Sequence, residues 1–301
     1  MKVSRLTDVT PAERPRSVAI GTFDGVHLGH REVIGDSDTV LTFDPHPMSV
    51  IRPEAAPKLL MPFELKRELI AELGVRELVV IPFDEAFASR SAASFVEDVL
   101  VGSLGAGHVA VGENFRFGHG AEGDAALLSS QTAFDTRVVP LVEVAGETVS
   151  SSHIRGLVAA GEVSAAARFL GRPFLFQGEV VGGDRRGREL GMPTANLVPD
   201  DRLIHPGHGV YAALAGGHAA AVNVGVRPTF ETGRGVLVEA HLIGFEGDLY
   251  GQQLRIAFLE RLRGERRFES VDALVEQMNR DVDEASEIAA ATVSRPNDAD
   301  G

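Results

Sequence analysis

The chain has 301 residues, 44% of them hydrophobic, and a net charge of −14 at neutral pH. This length predicts two domains, and the negative charge argues against broad nucleic-acid binding because a phosphate backbone would be repelled. The absence of cysteine excludes disulfides, thiolate metal sites and cysteine nucleophiles. No signal peptide is apparent and no run approaches the roughly 20 apolar residues that span a bilayer, so we expect a cytoplasmic protein without membrane partners.

Lysine is almost absent, since only Lys2, Lys58 and Lys66 are found among 29 basic residues. A P-loop requires a Gly-Lys-Ser/Thr sequence and a protein kinase requires a lysine on a strand, and neither pattern is present. Phosphate handling would therefore depend on backbone N–H groups, arginines, histidines and a metal ion.

Strand-like and helix-like runs alternate through the first half, which predicts a parallel sheet covered by helices. The predicted strands are 17–21, 39–43, 77–83, 108–112 and part of 136–144. The predicted helices are 62–74, 92–105 and most of 152–171. Only eight residues, 31–38, join His30 to the next strand, which leaves room for little more than one helical turn.

The second half has short apolar runs separated by Gly, Pro and Asp, which predict an antiparallel, closed or nearly closed barrel. These runs are 174–183, 209–217, 218–226, 235–245 and 253–262. Residues 270–291 then form one amphipathic pattern, with Ser270 as a possible N-cap. We place the domain boundary between 170 and 171, end the second domain at 292, and expect 293–301 to be a disordered tail.

Three polar stretches follow predicted strands of the first half: "GTFDGVHLGH", "GENFRFG" and "SSSHIR". Glycines allow a backbone to approach a ligand, and a helix start offers free N–H groups to an anion. His27 and His30 could donate hydrogen bonds to phosphoryl oxygens. Each stretch alone is more often structural, but together at strand ends they predict a phosphate site.

These stretches, with "TFDPHP", resemble the adenylyltransferase module of bacterial bifunctional riboflavin kinase/FAD synthetases. The resemblance implies a Rossmann-like nucleotidyltransferase domain in which FMN attacks the α-phosphorus of ATP, giving FAD and pyrophosphate. It implies that His27 and His30 are catalytic and hold ATP phosphates. It further implies ATP or phosphate contacts from Gly21, Phe23, Asp24, Gly29, Asn114, Ser151 and Arg155.

The second half contains "PTAN", in which Thr194 and Asn196 share a face of an extended chain, and "LVEAHL", which contains Glu239. A hydroxyl and an amide carbonyl suit Mg²⁺ beside phosphates, and a carboxylate on a barrel strand suits a general base. Taken alone, a motif such as "PTAN" is more often part of an ordinary hairpin. A carboxylate placed like Glu239 more often points to water.

The motif order "GRELGMPTAN", "NVGVRPTF", "VEAHLIGFEGDLYG" and "LRGERRFES" resembles the riboflavin kinase module. The resemblance implies a six-stranded Greek-key barrel with a C-terminal helix that transfers the ATP γ-phosphate to riboflavin. Glu239 would be the base, and Thr194 and Asn196 would position Mg²⁺. The other implied contacts are to ATP from Gly187, Arg188, Gly191 and Thr194, and to flavin from Arg263, Glu265 and Phe268.

The sequence therefore predicts an enzyme that converts riboflavin to FMN and FMN to FAD with ATP and Mg²⁺. Its partners would be small molecules, with a homo-oligomer left open. Two rivals remain: a riboflavin kinase joined to an impaired adenylyltransferase, and a non-catalytic flavin or nucleotide sensor. The family pattern implies a full helix after His30, so the short segment here predicts weaker FAD synthesis and a less stable first domain, unless it is an error in the gene model.

Overall fold

The computed structural model describes residues 1–10, 14–182, 192–227 and 235–294. The chain divides into two compact units, Met1–Ser151 and Ser152–Gly301. The α/β half and the barrel half of the chain are thus separate units. The division falls ahead of the predicted 170/171 boundary, because the helical region 152–170 clusters with the barrel.

A six-stranded sheet forms the first unit, in the order β1-β4-β3-β2-β5-β8, and all its pairings are parallel. Its strands are β1 (Lys2–Arg5), β2 (Arg16–Ile20), β3 (Thr39–Asp44), β4 (Glu77–Pro82), β5 (Ala106–Gly112) and β8 (Asp135–Val139). Two small hairpins pair β6 (Arg116–Phe117) with β7 (Gly123–Asp124) and β9 (Glu143–Val144) with β10 (Glu147–Thr148). The central strands are continuous apolar runs buried on both faces, as a parallel interior requires.

Short helices cover this sheet: α1 (Leu28–Ile34), α2 (Pro47–Ile51), α3 (Phe63–Glu72), α4 (Glu85–Ala88), α5 (Ala92–Ser94) and α6 (Ala125–Ser129). A π-helical stretch, Phe95–Ser103, continues α5. The predicted short helix after β2 is confirmed, since α1 has seven residues and is followed by Gly35 at φ 42°.

The strand order locates a crevice in the first unit. From β2 the chain proceeds to β3 and β4 on one side, and to β5 and β8 on the other. This reversal between β2 and β5 is a topological switch point, where ligands of open α/β sheets bind beyond the carboxyl ends of the strands. The turn after Ile20 and the turn after Gly112 both lie at that edge.

Two helices, α7 (Ser151–Ala160) and α8 (Val163–Leu170), precede the barrel. The first residue of α7 belongs to the first unit and the rest of the helix to the second. The sequence predicted one largely helical run here, but Gly161 at φ 83° divides it into two helices. Helix α8 packs on strands of the barrel and buries Val163, Ala166, Phe169 and Leu170.

The predicted barrel is confirmed as closed and six-stranded, with the antiparallel order β11-β12-β15-β14-β13-β16. Its strands are β11 (Phe174–Val181), β12 (Ala195–Leu197), β13 (Gly209–Ala215), β14 (His218–Arg227), β15 (Gly235–Leu242) and β16 (Gln253–Arg263). Strand β16 lies beside β13, the first strand of the meander β13-β14-β15, which is a Greek-key arrangement. Aromatic side chains fill the interior, with the Tyr211 and Phe258 ring centroids 5.3 Å apart.

Helix α9 (Val271–Val293) packs on β13, β14 and β16. The predicted N-cap is confirmed, since the Ser270 hydroxyl accepts the N–H of Ala273 at 3.1 Å. Val293 still belongs to this helix, so it reaches one residue into the predicted tail, and 295–301 lie outside the described residues.

Candidate active sites

The turn between β2 and α1 is held in an unusual backbone conformation. Phe23 and Val26 adopt φ of 50° and 40°, in the left-handed region that bulky side chains rarely occupy. Each such residue costs on the order of 1–3 kcal/mol, which burial must offset, and both side chains are almost fully buried. A Cβ at Gly21 would lie 3.0 Å from the Phe23 ring, so a larger residue there would press on that buried ring. The turn is therefore a preformed structure rather than a flexible loop.

The two histidines of this turn are stacked. Their ring centroids are 3.5 Å apart with an interplanar angle of 15°, and the Phe23 ring contacts His30 edge-on. His27 is buried and is the N-cap of α1, because its Nδ1 accepts the backbone N–H of His30 at 3.2 Å. An accepting Nδ1 carries no proton, so in the neutral ring the proton lies on Nε2. His27 is thus arranged to donate from Nε2.

Two further predicted residues stabilise the turn. The buried carboxylate of Asp24 accepts the N–H of Leu60, with 2.9 and 3.1 Å to its two oxygens. The Ser151 hydroxyl donates to the backbone carbonyl of Asp24 at 2.9 Å. This bond brings the first residue of α7 to the turn that carries the histidines. Gly29 lies under His27, where a Cβ would come within 3.4 Å of the imidazole.

Lys66 of α3 lies beside the same turn, a position that the sequence did not reveal. Its ammonium donates to the carbonyl of Thr22 at 3.1 Å and contacts the Thr42 hydroxyl at 3.4 Å. Burial lowers the pKa of Lys66, while the charges of Asp24 and Asp44 act to raise it. One of the three lysines of the chain therefore lies at the turn that carries the two histidines. The scarcity of lysine in the sequence gave no indication of this position.

The remaining predicted residues of this site lie on separate elements. Asn114 is exposed in the turn after β5, on the other side of the switch point from the histidines. Arg155 lies one turn into α7, in the second unit, and is half-buried.

A polar row crosses three strands of the barrel. Glu239 on β15 is paired directly with Asn196 on β12 and with Asn223 on β14. Directly paired residues point to the same face of a sheet. The neighbours Val238 and Ala240 are fully buried on the opposite face, whereas Glu239 is half-buried. The predicted residues Asn196 and Glu239 are thus adjacent. The third residue of the row, Asn223, is not among the residues predicted from the sequence.

The "PTAN" segment is held against this row. Asn196 is buried, and its side-chain nitrogen lies 3.5 Å from the Thr194 carbonyl. The His241 ring contacts the Pro193 carbonyl at 2.9 Å. Thr194 and Asn196 therefore lie together, and Asn196 lies beside Glu239. The predicted residues Gly187, Arg188 and Gly191 lie outside the described part of the chain.

The predicted flavin residues follow β16. The Arg263 guanidinium forms a bidentate pair with the buried Asp281 of α9, at 3.0 and 2.7 Å. Arg263 and Arg266 both lie over the Phe268 ring, at 5.7 and 5.8 Å from its centroid. Arg263 thus connects the end of the barrel to α9 and supports the segment that carries Phe268.

Glu265 belongs to the same segment and is exposed. Its Oε2 lies 3.9 Å from Nδ1 of His208, and a Cβ at Gly225 would be 3.0 Å from its Oε1. Gly225 is two residues beyond Asn223 on β14. The carboxylate of Glu265 therefore covers the strand position next to Asn223.

Two family models match the chain, FAD synthetase over residues 9–153 and riboflavin kinase over residues 170–289. A bifunctional riboflavin kinase/FMN adenylyltransferase of Pseudomonas fluorescens is 35% identical, covering 97% of this chain and 99% of its own length. The protein of the same name from Bacillus subtilis is 36% identical, covering 91% and 92%. The chain belongs to the bifunctional riboflavin kinase/FMN adenylyltransferase family.

Among solved structures, one from Streptococcus pneumoniae, titled a macrolide-efflux protein, is 29% identical with a TM-score of 0.85. It covers 95% of this chain and 99% of that one, so the two-domain architecture of this family is shared over its whole length. Within the described ranges of the present chain, none of the helices combines the length and apolarity needed to cross a bilayer.

Proposed function

We propose that the two polar clusters described above carry out the two reactions of this family in succession, riboflavin to FMN and FMN to FAD. The observation that supports this assignment most strongly is that both family matches contain their own preformed site. The stacked histidines lie within 9–153, and the Asn196–Glu239–Asn223 row lies within 170–289. Both reactions consume ATP, which favours the cytoplasm as the compartment.

In the first unit, an oxygen of the FMN phosphate attacks the α-phosphorus of ATP, and the bond to the bridging oxygen of pyrophosphate breaks. Negative charge on the transferring group and the leaving group must be stabilised without covalent catalysis. His27 donates from Nε2, His30 lies stacked on it at the start of α1, and the helix N-terminus adds free N–H groups. Ser151 binds phosphate oxygens, and Asn114 contacts the nucleotide or the flavin.

In the barrel, Glu239 accepts the proton of the terminal ribityl hydroxyl while the hydroxyl oxygen attacks the γ-phosphorus of ATP. The bond between the γ-phosphorus and the β–γ bridging oxygen breaks, so FMN and ADP are formed. A half-buried carboxylate between two neutral carboxamides is suited to this role, because neither neighbour competes for the proton with a charge. Arg263, Glu265 and Phe268 border the flavin.

The donor set beside Glu239 fits Mg²⁺ carried by ATP. Among the described residues there is no cluster of three or more His, Cys, Asp or Glu side chains that could hold a metal by itself. Mg²⁺ commonly retains waters and phosphate oxygens and takes only one or two protein ligands. The Thr194 hydroxyl and the Asn196 carbonyl oxygen would hold it. The ion would neutralise charge on the phosphates of ATP.

Product analysis separates this function from its two rivals. The purified chain is incubated with riboflavin, ATP and Mg²⁺, and flavins are resolved by chromatography over time. We expect FMN to appear first and FAD afterwards. FMN without FAD would indicate a kinase joined to an impaired adenylyltransferase, and unchanged riboflavin would indicate a sensor.

A further inference from the structure

Asn223, the first residue of "NVGVRPTF", is a partner of Glu239 to which the resemblance assigns no role. The two residues are directly paired across β14 and β15, and the side-chain N–H of Asn223 donates to Oε2 of Glu239 at 3.2 Å. On the other side of Glu239, the N–H of Asn196 is directed to Thr194. Asn223 is therefore the carboxamide whose N–H is used on the carboxylate itself.

An amide donor has a specific consequence for a general base. A hydrogen bond to one carboxylate oxygen fixes the plane of the group and leaves Oε1 to accept a proton from a second donor. Arginine or lysine in the same place would stabilise the ionised carboxylate far more strongly and make it a weaker base. Asparagine orients the carboxylate without adding a charge.

Several ionisable groups of the described residues lie around this row. Glu265 lies against Gly225, two residues beyond Asn223 on β14, and its Oε2 is 3.9 Å from Nδ1 of His208. His241, two residues along β15, contacts the Pro193 carbonyl. Arg263 is paired with Asp281. In the described part of the chain, Asn223 is thus a neutral donor beside Glu239.

We propose that Asn223 is a positioning residue for riboflavin phosphorylation: its amide holds Oε2 of Glu239 so that Oε1 receives the proton of the ribityl hydroxyl. This inference rests on the assignment of Glu239 as the base. The new assignment is that Asn223 sets the orientation of the base.

Four variants of the full chain test the proposal: Asn223→Ala, Asn223→Asp, Glu239→Gln and His218→Asp. Asn223→Asp preserves size and replaces the donor by a carboxylate. His218→Asp also introduces a carboxylate, at the exposed start of β14, five residues and roughly 16 Å away. For each variant, kcat and KM of FMN formation are measured separately, and FAD formation from supplied FMN reports on correct folding.

We expect Asn223→Ala to lower kcat for FMN formation about tenfold with little change in the KM for ATP, the effect of losing one orienting hydrogen bond. Asn223→Asp also removes the donor, so it should lower kcat for FMN formation at least as much. His218→Asp should leave kcat for FMN formation unchanged, and all variants should still form FAD from FMN.

The outcomes distinguish the two assignments. Loss of FMN formation in Glu239→Gln, with both Asn223→Ala and Asn223→Asp within twofold of the wild type, would overturn the role of Asn223 alone. Near-normal FMN formation in Glu239→Gln would remove the base, and the role of Asn223 with it.

Discussion

The guanidinium of Arg137 on β8 donates from Nη2 to the backbone carbonyl of Val33, at 2.9 Å, in the last turn of α1. Its Nη1 donates to the neighbouring carbonyl of Glu32 at 3.1 Å. The last carbonyls of a helix have no intrahelical partners, and a cation there also complements the helix dipole. A Cβ at Gly35 would lie 2.7 Å from Nη2, so the glycine provides the room for this contact. The short helix is thus held at both ends, by His27 and by Arg137.

We predict that Arg137→Ala lowers FAD synthesis several-fold while FMN synthesis is unchanged. A seven-residue helix is not stable by itself, and displacement of His30 by about 1 Å can cost roughly 10²-fold in rate. The matched control is Arg76→Ala, which removes one 3.4 Å pair with Asp38 from a side chain that is 81% exposed. Equal FAD synthesis in the two variants would show that the contact does not position the histidines.

A second prediction compares the two reactions of the wild type. Because α1 has seven residues, it offers little apolar cover and rigidity behind His30, and we expect FAD synthesis to be slower than FMN synthesis. Both steady-state rates are measured on one preparation with saturating ATP and Mg²⁺. FAD synthesis at an equal or higher rate would show that the short helix, with its Arg137 contact, does not limit the site. Lengthening the helix after Ile34 should then change nothing.

The third prediction concerns the acid stability of the first unit. Glu77 accepts from Arg16, whose side chain is 6% exposed, and pairs with Lys2 at 3.2 Å. Burial acts to raise the pKa of Glu77, but the hydrogen bonds from Lys2 and Arg16 outweigh it and hold the pKa below its usual value. A lowered pKa stabilises the fold above the unfolded-state pKa, and this contribution is lost as pH falls through the folded-state pKa.

Glu77→Gln should therefore lower the free energy of unfolding of the first unit by about 2 kcal/mol at pH 7. The difference from the wild type should shrink below about pH 4. Denaturant unfolding of both proteins at several pH values measures it. A difference that stays constant down to pH 3 would contradict the charge-based explanation.

The sequence predicted the elements that local pattern controls and missed the relationships that span the chain. Buried apolar runs located β2, β3 and β5, and the spacing after His30 predicted the short α1. By contrast, Arg137 contacts a carbonyl 104 residues away, and Lys66 one 44 residues away. No local pattern encodes such pairings, because they depend on strand order. Strand β12 was missed because three residues are too few to establish a period of two.

The fourth prediction concerns fragments of the second unit. The Ser164 hydroxyl donates to the Leu259 carbonyl at 2.9 Å, and the Gly207 N–H donates to the Val158 carbonyl at 3.1 Å. Residues 152–170 therefore belong to the packing of the barrel unit. We expect a fragment 152–301 to unfold at a temperature about 5 °C or more above that of 171–301. Both should phosphorylate riboflavin. Equal melting temperatures would support the boundary predicted from composition.

The central claim is that one chain contains two separate active sites, each with its own catalytic residues. Two substitutions address the sites separately. Glu239→Gln removes the base of the barrel, where such a loss typically costs about 10²–10⁴-fold. His27→Asn removes the imidazole Nε2–H but retains an oxygen that can cap α1.

The most direct measurement is the flavin product distribution of both variants, supplied in turn with riboflavin and with FMN. We predict that Glu239→Gln makes FAD from FMN but no FMN from riboflavin. We predict that His27→Asn converts riboflavin to FMN at the wild-type rate and stops there. Loss of both reactions in either folded variant, or retention of the targeted reaction within a few-fold of the wild type, would contradict the central claim.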